Sequence, residues 1–210
     1  IHVQTTMRKI EIQTSFKKML ADVYTPVGIY LRLRDRFRDT ILLESTDFHA
    51  GENSYSFIGI NAVAGIEISN PSAIEFKMPG QNAERIKLDK IADVPQLLWD
   101  FMNRFEVKEV AAGPVNAAQG LFGYTSFDAV QFFDSINLNA AKVSPSGGDL
   151  EGADIPLMRY RLYQYVIAIN HFKNEAFIFC HSINNTNNIE EISQLLQSKN
   201  FASYSFQKEG

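Results

Sequence analysis

The feature that most constrains this chain is a train of short apolar runs between Tyr55 and Leu88, each only a few residues from the next. Residues 55–60 and 63–69 read as strands joined by a short turn at Asn61. Residues 74–78 and 84–88 flank Pro79-Gly80, a turn signal that predicts a hairpin. Parallel neighbours need a crossover of a dozen or more residues, and none fits here, so antiparallel pairing is expected. Two aromatic-rich runs, 160–172 and 176–182, meet at Lys173-Asn174 and predict a second hairpin.

Helical periodicity marks the rest. Val94, Leu97, Leu98, Phe101, Met102 and Phe105 form one apolar stripe, with Asp93 as the expected cap and Pro95 in the first turn. Ile189, Ile192, Leu195 and Leu196 mark a last amphipathic helix. Phe16, Met19, Leu20 and Val23 show helical spacing over 15–23, with Pro26 expected to end that helix. Residues 27–34 then alternate, Val27, Ile29, Leu31 and Leu33 on one face, and read as a half-buried strand. A strand over 40–45 follows. Further on, 119–127 reads as a strand, and 126–134 as a helix buried through Phe127, Val130 and Phe133. The Asn-, Ser-, Gly- and Asp-rich stretch 137–154 is the one long loop. The expected class is α+β: antiparallel sheet with a few packed helices.

Composition enters mainly through exclusion. The net charge is −4 and no stretch concentrates Lys or Arg, so no electrostatic footprint for nucleic acid exists. No apolar run is long enough for a membrane-spanning helix, and a cytoplasmic location is expected. The single cysteine, Cys180, can form no internal disulfide and reads as a small core residue. The four histidines, His2, His49, His171 and His181, lack metal-ligand spacing. His171 and His181 flank the second hairpin and read as a cross-strand surface pair. Neither a nucleophile elbow nor a Walker A loop nor a dinucleotide-binding glycine pattern occurs. No catalytic residue, metal ligand or cofactor site is expected within the chain.

One patch has ligand-type chemistry. Glu44 and Ser45 close the strand Ile41-Leu42-Leu43, and Tyr55-Ser56-Phe57 opens the next. In an antiparallel pair these segments lie side by side. Glu44 can meet an ammonium group, Ser45 and Ser56 can hydrogen-bond, and Leu43 and Phe57 can pack on an apolar body. On physical grounds alone the plainer reading is Glu44 paired with an arginine at a strand end.

The residue strings point further. Thr25-Pro26-Val27 with Tyr30-Leu31-Arg32-Leu33, then Leu42-Leu43-Glu44-Ser45, then Ser54-Tyr55-Ser56-Phe57-Ile58-Gly59 occur in order. Gln119-Gly120-Leu121-Phe122-Gly123-Tyr124, Phe127-Asp128 and Asp154-Ile155-Pro156 follow. This ordered set resembles the anthranilate synthase component I family. The resemblance implies that 1–210 is a single N-terminal regulatory domain, with the C-terminal chorismate-binding catalytic domain outside it. It implies a whole enzyme that makes anthranilate and pyruvate from chorismate, with Mg²⁺ held by the catalytic domain and ammonia from a glutamine amidotransferase component II. By matching position it also implies that Leu43, Glu44, Ser45, Tyr55 and Ser56 line a feedback pocket for L-tryptophan, shared with the catalytic domain. The family's arginine before Tyr-Ser-Phe is Ser54 here, and enteric relatives carry a lysine where Tyr55 stands, so a basic partner for the ligand's carboxylate is missing from this segment. Two alternatives stand beside this: component I of aminodeoxychorismate synthase, and a non-enzymatic interaction module of the same fold.

Overall fold

In the computed structural model, residues 9–45, 54–108, 116, 118–134, 155–183 and 186–198 are described. In chain order the elements are β1 (Ile10–Leu20), α1 (Pro26–Leu33), β2 (Ile41–Leu43), β3 (Tyr55–Asn70), β4 (Ala73–Lys77) and β5 (Glu84–Lys87). A 3-10 turn (Ile91–Asp93) leads into α2 (Val94–Met102), followed by β6 (Phe105–Val107) and β7 (Phe122–Thr125). After a second 3-10 segment (Phe127–Phe132) come β8 (Met158–Asn170), β9 (Glu175–Ser182) and α3 (Ile189–Gln197). The α+β expectation holds. The chain divides into two compact units: Ile1–Ile12, Val63–Val107 and Gly120–Leu162 form the first, and Gln13–Ala62, Lys108–Gln119 and Tyr163–Gly210 the second.

The second unit is built on the β8–β9 hairpin, in which Tyr165 pairs with Cys180 and Asn170 with Glu175. β1 adds to the other edge of β9 over eight residues, from Gln13↔Ser182 to Leu20↔Glu175. Alternation then sorts the side chains. Ala176, Ile178 and Cys180 face a core with Ile29 and Leu33 of α1 and Ile192 and Leu196 of α3. Phe177 and Phe179 face the other way and meet Phe16, at centroid distances of 6.3 and 5.9 Å. Arg32 of α1 donates to the carbonyls of Leu196 (2.6 Å) and Ser198 (3.1 Å), satisfying backbone oxygens at the end of α3.

Two adjacent elements exchange their expected identities. The 15–23 segment is not a helix; most of it is strand β1. The helical face would have buried Leu20 and Val23, yet they are 72% and 79% exposed. What wins is the long ladder to β9, which satisfies the backbone and sets Phe16 among aromatic rings, a tertiary gain that local period does not register. Pro26 then opens a helix instead of closing one. The Thr25 hydroxyl accepts from the Gly28 N–H at 3.0 Å, and proline occupies the first turn, where its missing N–H costs nothing. Ile29 and Leu33, four apart, are buried, whereas Val27, assigned to the same strand face, is exposed. Thr25→Ala is expected to cost about 1 kcal/mol by removing this cap. Chemical denaturation followed by circular dichroism checks it.

In the first unit, β3 pairs with β4 and β4 with β5, and the expected hairpin turns at Gly80, whose φ is +70°. β7 pairs with the start of β8. Ile10–Ile12 pairs with β6 in parallel, an arrangement the antiparallel expectation did not include. The long intervening chain supplies the crossover. Phe101 of α2 packs between Phe76 and Phe105.

Smaller differences have local causes. Strand pairing continues through Asn61, at φ 58°, so the two expected strands are one. Asp93 lies in helical backbone and its side chain makes no cap bond, because the 3-10 turn already leads into α2. Over 127–132 the backbone is 3-10, and Ala129 and Phe132 are buried while Phe127 and Phe133 are exposed, as the tighter turn rotates the face. The expected loop 137–154 lies outside the described residues.

Candidate functional site

The patch singled out from sequence lies in the second unit, where the end of β2 meets the start of β3. Leu43 pairs with Phe57 in register, so residues 44 and 45 leave β2 beside residues 55 and 56. Leu43 is half-buried, and Glu44 and Ser45 are exposed. Tyr55 and Phe57, alternate residues on β3, stack at 5.8 Å with an interplanar angle of 19°. Ser56, between them, points to the other face and is fully buried. Its hydroxyl accepts from the Ser45 N–H at 3.4 Å, and Ser54 Oγ donates to Ser45 Oγ at 3.4 Å. Among the described residues Glu44 makes no ion pair, so the arginine partner expected on plain grounds is not there.

The structure adds a residue that sequence reasoning missed. His171, the first residue after β8, donates its backbone N–H to the Ser54 carbonyl at 3.0 Å. Its ring Nε2 lies 2.7 Å from Ser56 Oγ. The turn that carries it is pinned by Asn170, nearly wholly buried, whose Oδ1 accepts from the Lys173 N–H at 2.8 Å. The sequence signal is a histidine directly after the apolar run Val166-Ile167-Ala168-Ile169 and Asn170. Its partner is 115 positions away, beyond any local pattern.

His181 is not its cross-strand neighbour. The register sets His181 opposite Thr14 on β1, and it is buried. Nε2 lies 3.0 Å from the Ala118 carbonyl, an acceptor only, so the ring proton sits there. Nδ1 is then the acceptor for the Thr14 hydroxyl at 3.0 Å, and Gln119 Nε2 donates to that hydroxyl at 3.5 Å. Burial lowers the His181 pKa to about 4, opposed only by the Ala118 bond, so the ring is neutral near pH 7. Cys180 behaves as read: it is buried, its thiol is pushed up by burial, and Sγ contacts the Thr186 carbonyl at 3.6 Å. A thiol held neutral in this way is no nucleophile.

Charge collects elsewhere, in the first unit. Glu67 bonds Arg161, which is nearly buried, and lies 3.2 Å from Arg159. The strand β7, with Gly120 just before it, pairs there, with Gly123 opposite Tyr160. Among the described residues no three His, Cys, Asp or Glu side chains gather to hold a metal ion.

The exposed Glu44 and Ser45 and the stacked Tyr55 and Phe57 thus bring a carboxylate, a hydroxyl and two aromatic rings to one end of the β2–β3 pair. The chain is similar in sequence to proteins named anthranilate synthase component 1 from several organisms. It is 28% identical over 171 residues to anthranilate synthase component 1 of Acinetobacter calcoaceticus, covering 80% of this chain and 32% of that protein. The protein of that name from Methanothermobacter thermautotrophicus is 27% identical over 179 residues, covering 83% and 32%. That from Neisseria gonorrhoeae is 30% identical over 134 residues, covering 62% and 26%. The chain thus spans about a third of the length of the curated relatives it matches. A crystal structure of anthranilate synthase component I from Streptococcus pneumoniae aligns over 86% of this chain and 35% of its own, with a TM-score of 0.42 and 18% identity. No family model matches the chain.

Proposed function

We propose that the chain is the N-terminal regulatory part of an anthranilate synthase component I, forming one wall of a pocket that senses L-tryptophan and carrying no catalytic residue itself. The observation that carries this reading is the meeting of the β2 end and the β3 start, in a chain that matches about a third of each relative's length. Exposed Glu44 suits the ligand's ammonium group, and the Ser45 hydroxyl a second polar contact. Leu43, Tyr55 and Phe57 offer apolar and aromatic surface for an indole. A second domain supplies the remaining walls, and with them the chorismate site and the Mg²⁺ that would assist loss of chorismate's hydroxyl. A glutamine amidotransferase partner supplies ammonia. Feedback then works by differential affinity: tryptophan binds better to an arrangement of the two domains that does not turn over.

Product analysis on the full-length gene product, given chorismate, Mg²⁺ and ammonium, tests this. Anthranilate and pyruvate, with turnover suppressed by tryptophan, are expected. The 4-amino isomer would assign the chain to aminodeoxychorismate synthase, and no product at all would leave a packing module.

A further inference from the structure

We propose that His171 is a positioning residue for this pocket, acting through Ser56 to hold the Ser45 segment where a ligand can use it. The inference rests on the amino-acid-pocket reading and extends it to the β8–β9 turn. Three chain segments converge: residue 45 after β2, residues 54–56 opening β3, and residue 171 after β8. Ser56 cannot serve the ligand directly, since it is fully buried and its oxygen is engaged on both sides, by Ser45 N–H and by His171 Nε2. Its position instead makes it a bridge.

Each link has a physical reason. Residue 45 lies two positions past the last β2 pair, so no ladder bond fixes it; the 3.4 Å bond to Ser56 is what orients its backbone. A serine hydroxyl rotates freely unless a second partner fixes it, and His171 is that partner at 2.7 Å. His171 is in turn fixed from both sides, by its N–H on Ser54 and by the Asn170 clasp across the turn. A hydrogen-bonded chain of this kind behaves as a unit, so deleting either member should remove the effect of both. Among the described residues, Glu44 and Lys173 are exposed and neither bonds the imidazole.

The test is a double-mutant cycle in the full-length gene product, read as the L-tryptophan concentration that half-inhibits turnover. His171→Ala and Ser56→Ala are each expected to raise it about tenfold, the worth of one hydrogen bond lost from a pre-organised site. The double variant should rise no further than either single one. His171→Gln, whose amide can reach the same hydroxyl, should recover most of the loss. Thr25→Ala, which weakens α1 without touching the cluster, should leave the value at wild type, separating positioning from general loosening. Single variants inhibited like the wild type, or a double variant whose loss is the product of the singles, overturn the role of His171 while leaving the pocket reading intact. A wild type that tryptophan does not inhibit overturns both.

Discussion

Lowering the pH from about 7 to about 4 is expected to remove about 3 kcal/mol of stability from the second unit through His181 alone. In the fold its pKa is lowered to about 4, whereas an unfolded histidine titrates near 6.5. Between those values the unfolded chain takes up a proton that the folded chain refuses. The contribution is therefore whole above about pH 6.5 and lost as the pH falls towards about 4. Protonating Nδ1 also turns the acceptor of the Thr14 hydroxyl into a donor, so that hydroxyl must give up its own donation and accept from the ring as well as from Gln119. Hydrogen exchange of the β9 amides is the right probe, because the single tryptophan, Trp99, lies in the first unit and would report the wrong part. His181→Asn should be less stable than wild type near neutrality, by about 2 kcal/mol, with the gap closing towards pH 4. A gap that stays constant with pH would show that the ring is not held neutral.

Gly123→Ala should be as damaging in the first unit, at about 3 kcal/mol or more. A Cβ at this position would overlap the backbone carbonyl of Arg159 and crowd Tyr160 Cα. Backbone cannot swing aside as a flexible side chain can. The only relief is to part β7 from β8, giving up the ladder from Phe122↔Arg161 to Thr125↔Met158. Trp99 fluorescence during urea denaturation reports on this unit, and its midpoint should fall well below wild type. An unchanged midpoint would mean that β7 contributes nothing to the unit's stability. The same steric fact gives a physical reason for a glycine within the Gln119–Tyr124 string, where the sequence shows only a strand interrupted by glycines.

How much of this was legible in the chain depended on whether a signal was local. Both hairpins could be read because Pro79-Gly80 and Lys173-Asn174 mark turns between runs of one character. α2 and α3 could be read because their apolar residues recur at helical spacing, although Phe105, expected at the end of the first stripe, opens β6 after α2 stops at Met102. β1 and α1 were exchanged because in each segment something other than the local period decided the backbone. Phe16, Met19, Leu20 and Val23 fit a helix, but β9 pairs with Ser15 through Leu20 of that segment. Val27, Ile29, Leu31 and Leu33 fit a strand, but Thr25 and Pro26 together start a helix. At the candidate site, the nearness of Ser45 and Ser56 followed from simple antiparallel pairing. His171 did not, since it arrives from a turn that only the β8–β9 ladder places there. The buried role of His181 was hidden for a similar reason: its partners stand on β1 and at Ala118, and nothing near it in sequence announces them.

Calorimetric titration of L-tryptophan into the 210-residue chain and into the full-length gene product bears most directly on whether Glu44, Ser45 and the Tyr55–Phe57 stack are one wall of a shared pocket. Tight, micromolar binding to the longer protein, with binding to the chain alone weaker by orders of magnitude or undetectable, is the predicted result. Equal affinity for both, or no heat from either, would contradict it.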